Sequence, residues 1–456
     1  MTNSYHSSNQ QVSTWFFLAV MGLTVLTALG FLYLGRQLAP GSNLPSAELK
    51  ILSRAYNRID EHYIYDLSEE RRAELMHAAI SGMVRKLDKY SRYYAPNKSG
   101  DYDVGTRGVM TGIGIVVQTV EDQVVLLYPS PGGPAEHAGL KVGDIVTAVN
   151  STPVHSSKEA VDEIRGELDT AVILTIKRGD AKPRDVSVHR GTIVIPSLKW
   201  ARILDKEKRI GYVYLQKFAE NSATELDLWL QQLDAELGQR LDGLVFDLRN
   251  NPGGLLDTCL DVTNRFLKKG KIVTLQRRNT EDVIHSADPA KCTRQKLALV
   301  LLLNGDSASA SEVFAGAMTD HGRAQLVGTR SYGKGVVQSV FSWSDSKERV
   351  KIPTSYYLTP AGRNIENTLR PKSLRGKGGI PPDHLVDFKK PIDGRIAIAR
   401  LQRREVPRKY REDVDALCQA NEKIKMYRPL EPDKDVQLAA ALEQVRDMLA
   451  ARKNGK

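Results

Sequence analysis

Cysteine is scarce in this sequence. The 456 residues contain three, Cys259, Cys292 and Cys418, far apart and with no C-x-x-C pair. An odd, scattered set argues against a disulfide framework, and three thiolates without a histidine cannot complete a tetrahedral zinc site. No internal repeat or low-complexity tract is present. With 41% hydrophobic and 26% charged residues, the composition is that of a folded chain of more than one domain. The formal net charge of +11 would suit an anionic partner. Yet the sequence lacks zinc-finger spacing and the aromatic-plus-basic signature of an RNA-binding motif. Much of the excess lies in RPKSLRGKGG, 370–379, and in the region beginning ARLQRREVPRKYR. These read as solvated surface, and no nucleic-acid partner is expected.

Charge is missing altogether from Ser7 to Gly35. Within that gap, WFFLAVMGLTVLTALGFLYLG, 15–35, is long enough to cross a bilayer as a helix. Trp15 and Tyr33 stand near its ends as interface anchors do. The leader, 1–14, has no Lys or Arg, whereas a cleaved signal peptide wants a basic leader and a shorter apolar run. The expectation is a retained single-pass anchor. Arg36, Lys50 and Arg54 follow it, so the positive-inside rule alone would keep the body in the cytoplasm.

Beyond the span the pattern changes three times. Residues 46–104 carry apolar spacings of three and four, the mark of helices. Residues 105–190 alternate short strands with Gly/Pro punctuation, as in GIGIVV, QVVLLY and PSPGGPAEHAGLKVGD. From 191 to 390, strands alternate with amphipathic helices, and the near-continuous apolar strands GLVFDLRN and LALVLLLN imply a sheet covered on both faces. Residues 391–456 form a basic C-terminal region ending in a helix.

The octapeptide GTRSYGKG, 328–335, satisfies the phosphate-loop pattern G-x-x-x-x-G-K. A nucleotide site also needs Ser or Thr after the lysine and a helix opening there. This chain has Gly335, then VVQSVFSW, an alternating β-branched run that reads as a strand. The phosphate-ligand reading of Lys334 therefore fails on two counts. Upstream, NGDSASASEVFAGAMTD, 304–320, follows a buried strand with a tight serine-bearing loop and a helix. Ser309 and Glu312 match the capping box S-x-x-E, an ordinary helix start. The same strand–turn–helix geometry exposes a nucleophile and offers free N–H groups to an oxyanion. The G-x-S-x-G elbow is absent, which argues against an ordinary α/β-hydrolase. Spacing does not choose among Ser307, Ser309 and Ser311. His321 lies about 18 Å along the following helix, too far to serve as base. A lysine desolvated from about 10.4 to about 7.5 would serve. Gln338, four residues on in the strand, shares a face with Lys334 and can orient a neutral amine.

GLVFDLRNNPGGLLD, NGDSASASEVFAGAMTDHGRAQLVGTRSYGKGVVQ and YYLTPAGRNI together resemble the carboxyl-terminal processing (tail-specific) serine proteases, over about residues 46–390 plus the terminal helix. The resemblance implies a crotonase-like (ClpP/crotonase) α/β protease core with an inserted, mainly-β PDZ domain. It makes Ser309 the nucleophile, Lys334 the general base and Gln338 its orienting partner. It places the oxyanion hole at Gly253 or Gly254 with the Ala310 amide, and calls for no cofactor or metal. SPGGPAEHAGLKVGDIVTAVN marks the PDZ domain. Its carboxylate loop is Gly112, Ile113, Gly114 and Ile115, and the strand edge that follows can pair with a substrate tail. Partners are then protein substrates with exposed C-terminal tails, and the membrane through the anchor; a homo-oligomer is compatible with the sequence. Family members generally act outside the cytoplasm. Long domains translocate largely regardless of charge, so a periplasmic catalytic domain is expected despite the basic flank. The alternatives are a catalytically silent PDZ scaffold and, less well supported, a nucleotide-binding enzyme.

Overall fold

The computed structural model describes residues 46–96, 108–278, 280–343, 346–369, 378–401, 406–424 and 431–455. The tail at 1–14, the expected membrane anchor at 15–35 and most of the basic loop at 370–379 lie outside these residues. Among the described residues no helix is long and apolar enough to cross a membrane. Contacts divide the chain at Ala79 into two units. In the first, α1 (Ser46–His62) precedes the start of α2 (Glu69–Arg85), and Arg72 pairs with Asp60 at 2.7 Å.

In the second unit, the PDZ-like sheet is an antiparallel set in spatial order β1 (Ile115–Val120), β2 (Gln123–Pro129), β3 (Ile145–Val149), β4 (Ala171–Lys177), β5 (Arg184–His189). Helices α3 (Pro134–His137) and α4 (Ser157–Ile164) accompany it. Strand alternation drives one face inward: Val124, Leu126, Val146, Val172, Leu174 and Ile176 pack against Ala160 and Ile164 of α4. The Ser156 hydroxyl caps α4 by accepting the Glu159 N–H. β1 lies at the end of the sheet path, and a short ribbon of 109–112 with 191–194 joins the domain to the core.

The core sheet runs β6 (Leu198–Asp205), β7 (Ile210–Leu215), β8 (Gly243–Asp247), β10 (Ala298–Leu303), β11 (Gln325–Gly328), β14 (His384–Leu385). From β7 onward the pairings are parallel. On one face lie α5 (Ser222–Leu237), α6 (Leu256–Phe266) and α7 (Ala310–Asp320), with Phe246, Phe266 and Phe314 at their shared centre. The other face is closed by Leu401, which ends α8 (Pro391–Leu401), and by α10 (Val436–Lys453) through Leu438, Ala441, Leu442 and Val445. Coverage on both faces explains why β7, β8 and β10 are buried at every position. A second sheet carries β9 (Lys271–Arg277) and the hairpin β12 (Val336–Ser342) with β13 (Arg349–Leu358).

The basic C-terminal region is structural. α9 (Arg411–Ala420) and its flanks pack on the outer face of β1 and β2, with Tyr410 stacked on Tyr128 and Val414 fully buried. Asp435 caps α10 and closes a charge cluster: Arg249 donates to Asp435 at 2.9 and 3.0 Å and to Asp247 at 2.7 Å, all three buried.

Candidate active site

β10 ends in the loop 304–308, which is fixed from below. Ser307 Oγ donates to the Leu248 carbonyl at 2.8 Å, and the Ala308 N–H goes to the Asn251 carbonyl at 3.0 Å. Ser311 Oγ donates to that same Asn251 carbonyl at 3.0 Å. Ser307 and Ser311 are thus buried and tied to backbone. Ser309 differs. Its φ of 57° and ψ of −117° put a non-glycine residue in a disfavoured region at the mouth of α7. The turn lifts Ser309 into a cleft of about 360 Å³.

Lys334, Gln338, Gly253, Gly254 and Ala310 line the same cleft, so the sequence-derived candidates for the dyad and the oxyanion hole converge in space. The strand expected after Lys334 is β12, where a phosphate loop would have opened a helix. Lys334 Nζ donates to Gln338 Oε1 at 2.8 Å, and Gln338 Nε2 donates to the Tyr90 carbonyl at 2.7 Å, fixing the amide's orientation. The ammonium lies 4.9 Å from the centre of the Tyr90 ring. Burial, reinforced by the nearby Lys351 charge, lowers the Lys334 pKa to about 8; Glu366 and Glu312 oppose the shift.

Two backbone amides of cleft-lining residues have no partner among the described residues. Gly253 donates its N–H to Asn251 Oδ1 at 2.9 Å, so it is not available as an oxyanion donor. The N–H groups of Gly254 and Ala310 donate to no atom among the described residues. Both glycines are sterically required. A Cβ on Gly253 would come within 2.8 Å of the Ala310 nitrogen, and one on Gly254 within 2.0 Å of the Phe218 carbonyl oxygen. Their φ values, 97° and 151°, also favour glycine.

Glu312 was legible only as a cap, and its larger role is new. Fully buried, its carboxylate accepts the N–H groups of Ser309 and Lys334 at 2.8 Å each, that of Gly333 at 2.6 Å and the Ser331 hydroxyl at 2.6 Å. Burial pushes its carboxyl pKa up, against the pull of these donors. Tyr357 adds a hydroxyl bond to the Ser309 carbonyl at 3.0 Å. Only the Ser309 bond follows from the S-x-x-E spacing; the other contacts join residues 19 to 48 apart, which no local spacing reveals.

In the PDZ-like domain, Gly112 to Ile115 form the turn into β1. The carbonyls of Ile113 and Gly114 are taken by Ala135 and Ser130 at 2.9 and 2.7 Å, while their N–H groups have no partner among the described residues. Gly114 has φ of 73°, the inflection that makes neighbouring amides converge. Among the described residues, no group of three His, Cys, Asp or Glu side chains is placed to hold a metal.

Comparison with known proteins identifies the family. Residues 209–386 match Peptidase family S41, and residues 125–178 match a PDZ domain. A "Probable CtpA-like serine protease" of Staphylococcus aureus is 32% identical over 401 residues, 85% of this chain and 75% of that protein. A "Carboxy-terminal-processing protease" of Bartonella bacilliformis is 34% identical over 337 residues, 73% of each chain. Among solved structures, a photosystem II D1 C-terminal processing protease is 29% identical with a TM-score of 0.41, covering 75% of this chain and 94% of that one. The chain belongs to the carboxyl-terminal processing serine peptidases of family S41, with a PDZ domain.

Proposed function

We propose that this peptidase cleaves proteins near unstructured C-termini by Ser/Lys-dyad acyl transfer. The observation that carries the reading is the Lys334–Gln338 bond of 2.8 Å in the cleft that also holds Ser309. A neutral Gln338 oxygen orients the amine without adding a charge that would hold its proton. Neutral Lys334 takes the Ser309 proton as Oγ attacks the scissile carbonyl carbon. The N–H groups of Gly254 and Ala310 receive the oxyanion. Lys334 passes the proton to the departing amine, leaving an acyl-enzyme. It then takes a proton from water as that water attacks the ester carbonyl, and returns it to Ser309 Oγ as the acyl–oxygen bond breaks.

The PDZ loop at Gly112–Ile115 takes the terminal carboxylate on the free amides of Ile113 and Gly114, and the tail pairs with the edge of β1. Residues 191–390 form the crotonase-like catalytic domain, held at the membrane by the span 15–35 and acting on the periplasmic side. The test uses a protein bearing an apolar C-terminal tail, with the products read by mass spectrometry. Ser309→Ala and Lys334→Ala should each abolish cleavage while the tail still binds. Wild-type protein that binds the tail and never cuts it would favour the silent scaffold instead.

A further inference from the structure

The catalytic cleft holds two more lysines that the dyad does not use. Lys217 and Lys351 line it alongside Lys334, and no Asp or Glu side chain lines it with them. Lys217 follows β7 and immediately precedes Phe218, whose backbone N–H and carbonyl pair with Gly253 and Leu255 at 3.0 and 2.8 Å, framing the oxyanion turn. Lys351 stands on β13 directly opposite Val340 of β12. It therefore shares the cleft-facing side of the hairpin with Val340 and Gln338. Val340 lies two positions beyond Gln338 on the strand, so Lys351 lies about 7 Å along the strand from the group that holds Lys334.

Neither ammonium has an ion-pair or hydrogen-bond partner among the described residues. Burial lowers the pKa of both, and Lys351 lowers that of Lys217 further. Half-buried cations with no partner are costly to keep unless something supplies the missing charge. The remaining walls, among them Leu255, Leu256, Val313 and Val337, are apolar and focus the positive field into the cleft.

We propose that Lys217 and Lys351 form a subsite for a carboxylate on the substrate chain, two or three residues from the scissile bond. The inference rests on the proteolytic reading and deepens it. The carboxylate has two chemical sources: an Asp or Glu side chain, or the free terminus of a tail ending just past the cut. In either case the two ammonium groups gain the charge they lack, and the substrate is set in register against the hairpin.

The test uses two arms of fluorogenic peptides on the full chain. In the first, amidated peptides carry one Glu walked through the three positions on each side of the cut, each against its Gln match. Amidation removes the terminal carboxylate that the PDZ loop would read. In the second, neutral peptides end one to three residues beyond the cut as free acid or as amide. The expectation is one position, or one terminus, at which the charged peptide exceeds its neutral match about tenfold in kcat/KM. That ratio should fall to about one in Lys217→Gln and Lys351→Gln whatever their absolute rates, and survive in Lys351→Arg. A wild-type ratio near one throughout, or a ratio that persists in both Gln variants, would overturn the subsite. Binding of the same pairs to Ser309→Ala, followed by fluorescence anisotropy, separates the two readings. Charge-selective binding without turnover would sink the protease mechanism and keep the subsite; turnover without charge selectivity would do the reverse.

Discussion

Glu312 and Lys334 are joined by a backbone hydrogen bond. Glu312 Oε2 accepts the Lys334 N–H at 2.8 Å, and the same oxygen accepts the Ser309 N–H at 2.8 Å. One buried carboxylate thus sets both the serine turn and the lysine loop, so the two reacting side chains are positioned by a common support.

Glu312→Gln tests that support. An amide offers one acceptor oxygen where four donors need a carboxylate, so at least one buried N–H or hydroxyl is left facing an NH2 group. The cost in stability should be about 1–3 kcal/mol. Because the loss falls on dyad alignment, kcat should drop at least tenfold with KM little changed, measured with the tailed substrate. Equal losses in kcat/KM through KM alone would mean that Glu312 shapes the binding groove instead.

Gly254→Ala would bring a Cβ within 2.0 Å of the Phe218 carbonyl oxygen, a contact that only backbone movement can relieve. The turn carrying the free amide would shift. The expected result is a fall of at least a hundredfold in kcat in protein that still folds, as judged by circular dichroism. Activity within threefold of wild type would remove Gly254 from the oxyanion hole.

Arg249→Met leaves Asp247 and Asp435 buried without their cation. Breaking one partner of such a cluster costs about 3–5 kcal/mol. Because Asp435 caps α10, thermal melting should show loosening of that helix and a large drop in Tm. The double variant with Asp435→Asn should recover part of the loss.

The depressed Lys334 pKa also has a signature in stability. Between about 8 and the ordinary lysine value of 10.5, the unfolded chain binds the proton that the folded one has released. Stability from this group therefore rises with pH through that window, and the penalty is fully present below it. Lys217 and Lys351 are lowered too and act in the same direction. Lys334→Met should raise Tm at pH 7, and the gain over wild type should shrink as pH approaches 10. A gain independent of pH would mean that the lysine is not desolvated.

How far the sequence could be read depended on how local each signal was. The amphipathic helices expected between the strands of 191–390 include α5, Ser222–Leu237, because its apolar spacing and the glycine that follows it act within a few turns. β12 is legible from β-branched alternation, and together with Gly335 in the place of Ser or Thr it argues against the nucleotide reading of Lys334. Ser309 could be chosen over its neighbours only by resemblance. What separates them is that Ser307 and Ser311 bond to Leu248 and Asn251, contacts spanning 59 and 60 residues. The same holds for Arg249 and Asp435, 186 residues apart. The C-terminal region read as surface because its charge is high. Its apolar residues pack on two different sheets, which periodicity cannot reveal.

The central claim is that a neutral Lys334 removes the Ser309 proton. It is tested most directly by the pH dependence of acylation in a single turnover, followed as release of the first product from the tailed substrate. The account predicts a rate that rises with pH on a single limb centred near 8, the Lys334 value, and is lost in Lys334→Ala. A limb near about 6.5, the signature of an imidazole, or a burst that survives in Lys334→Ala, would contradict it.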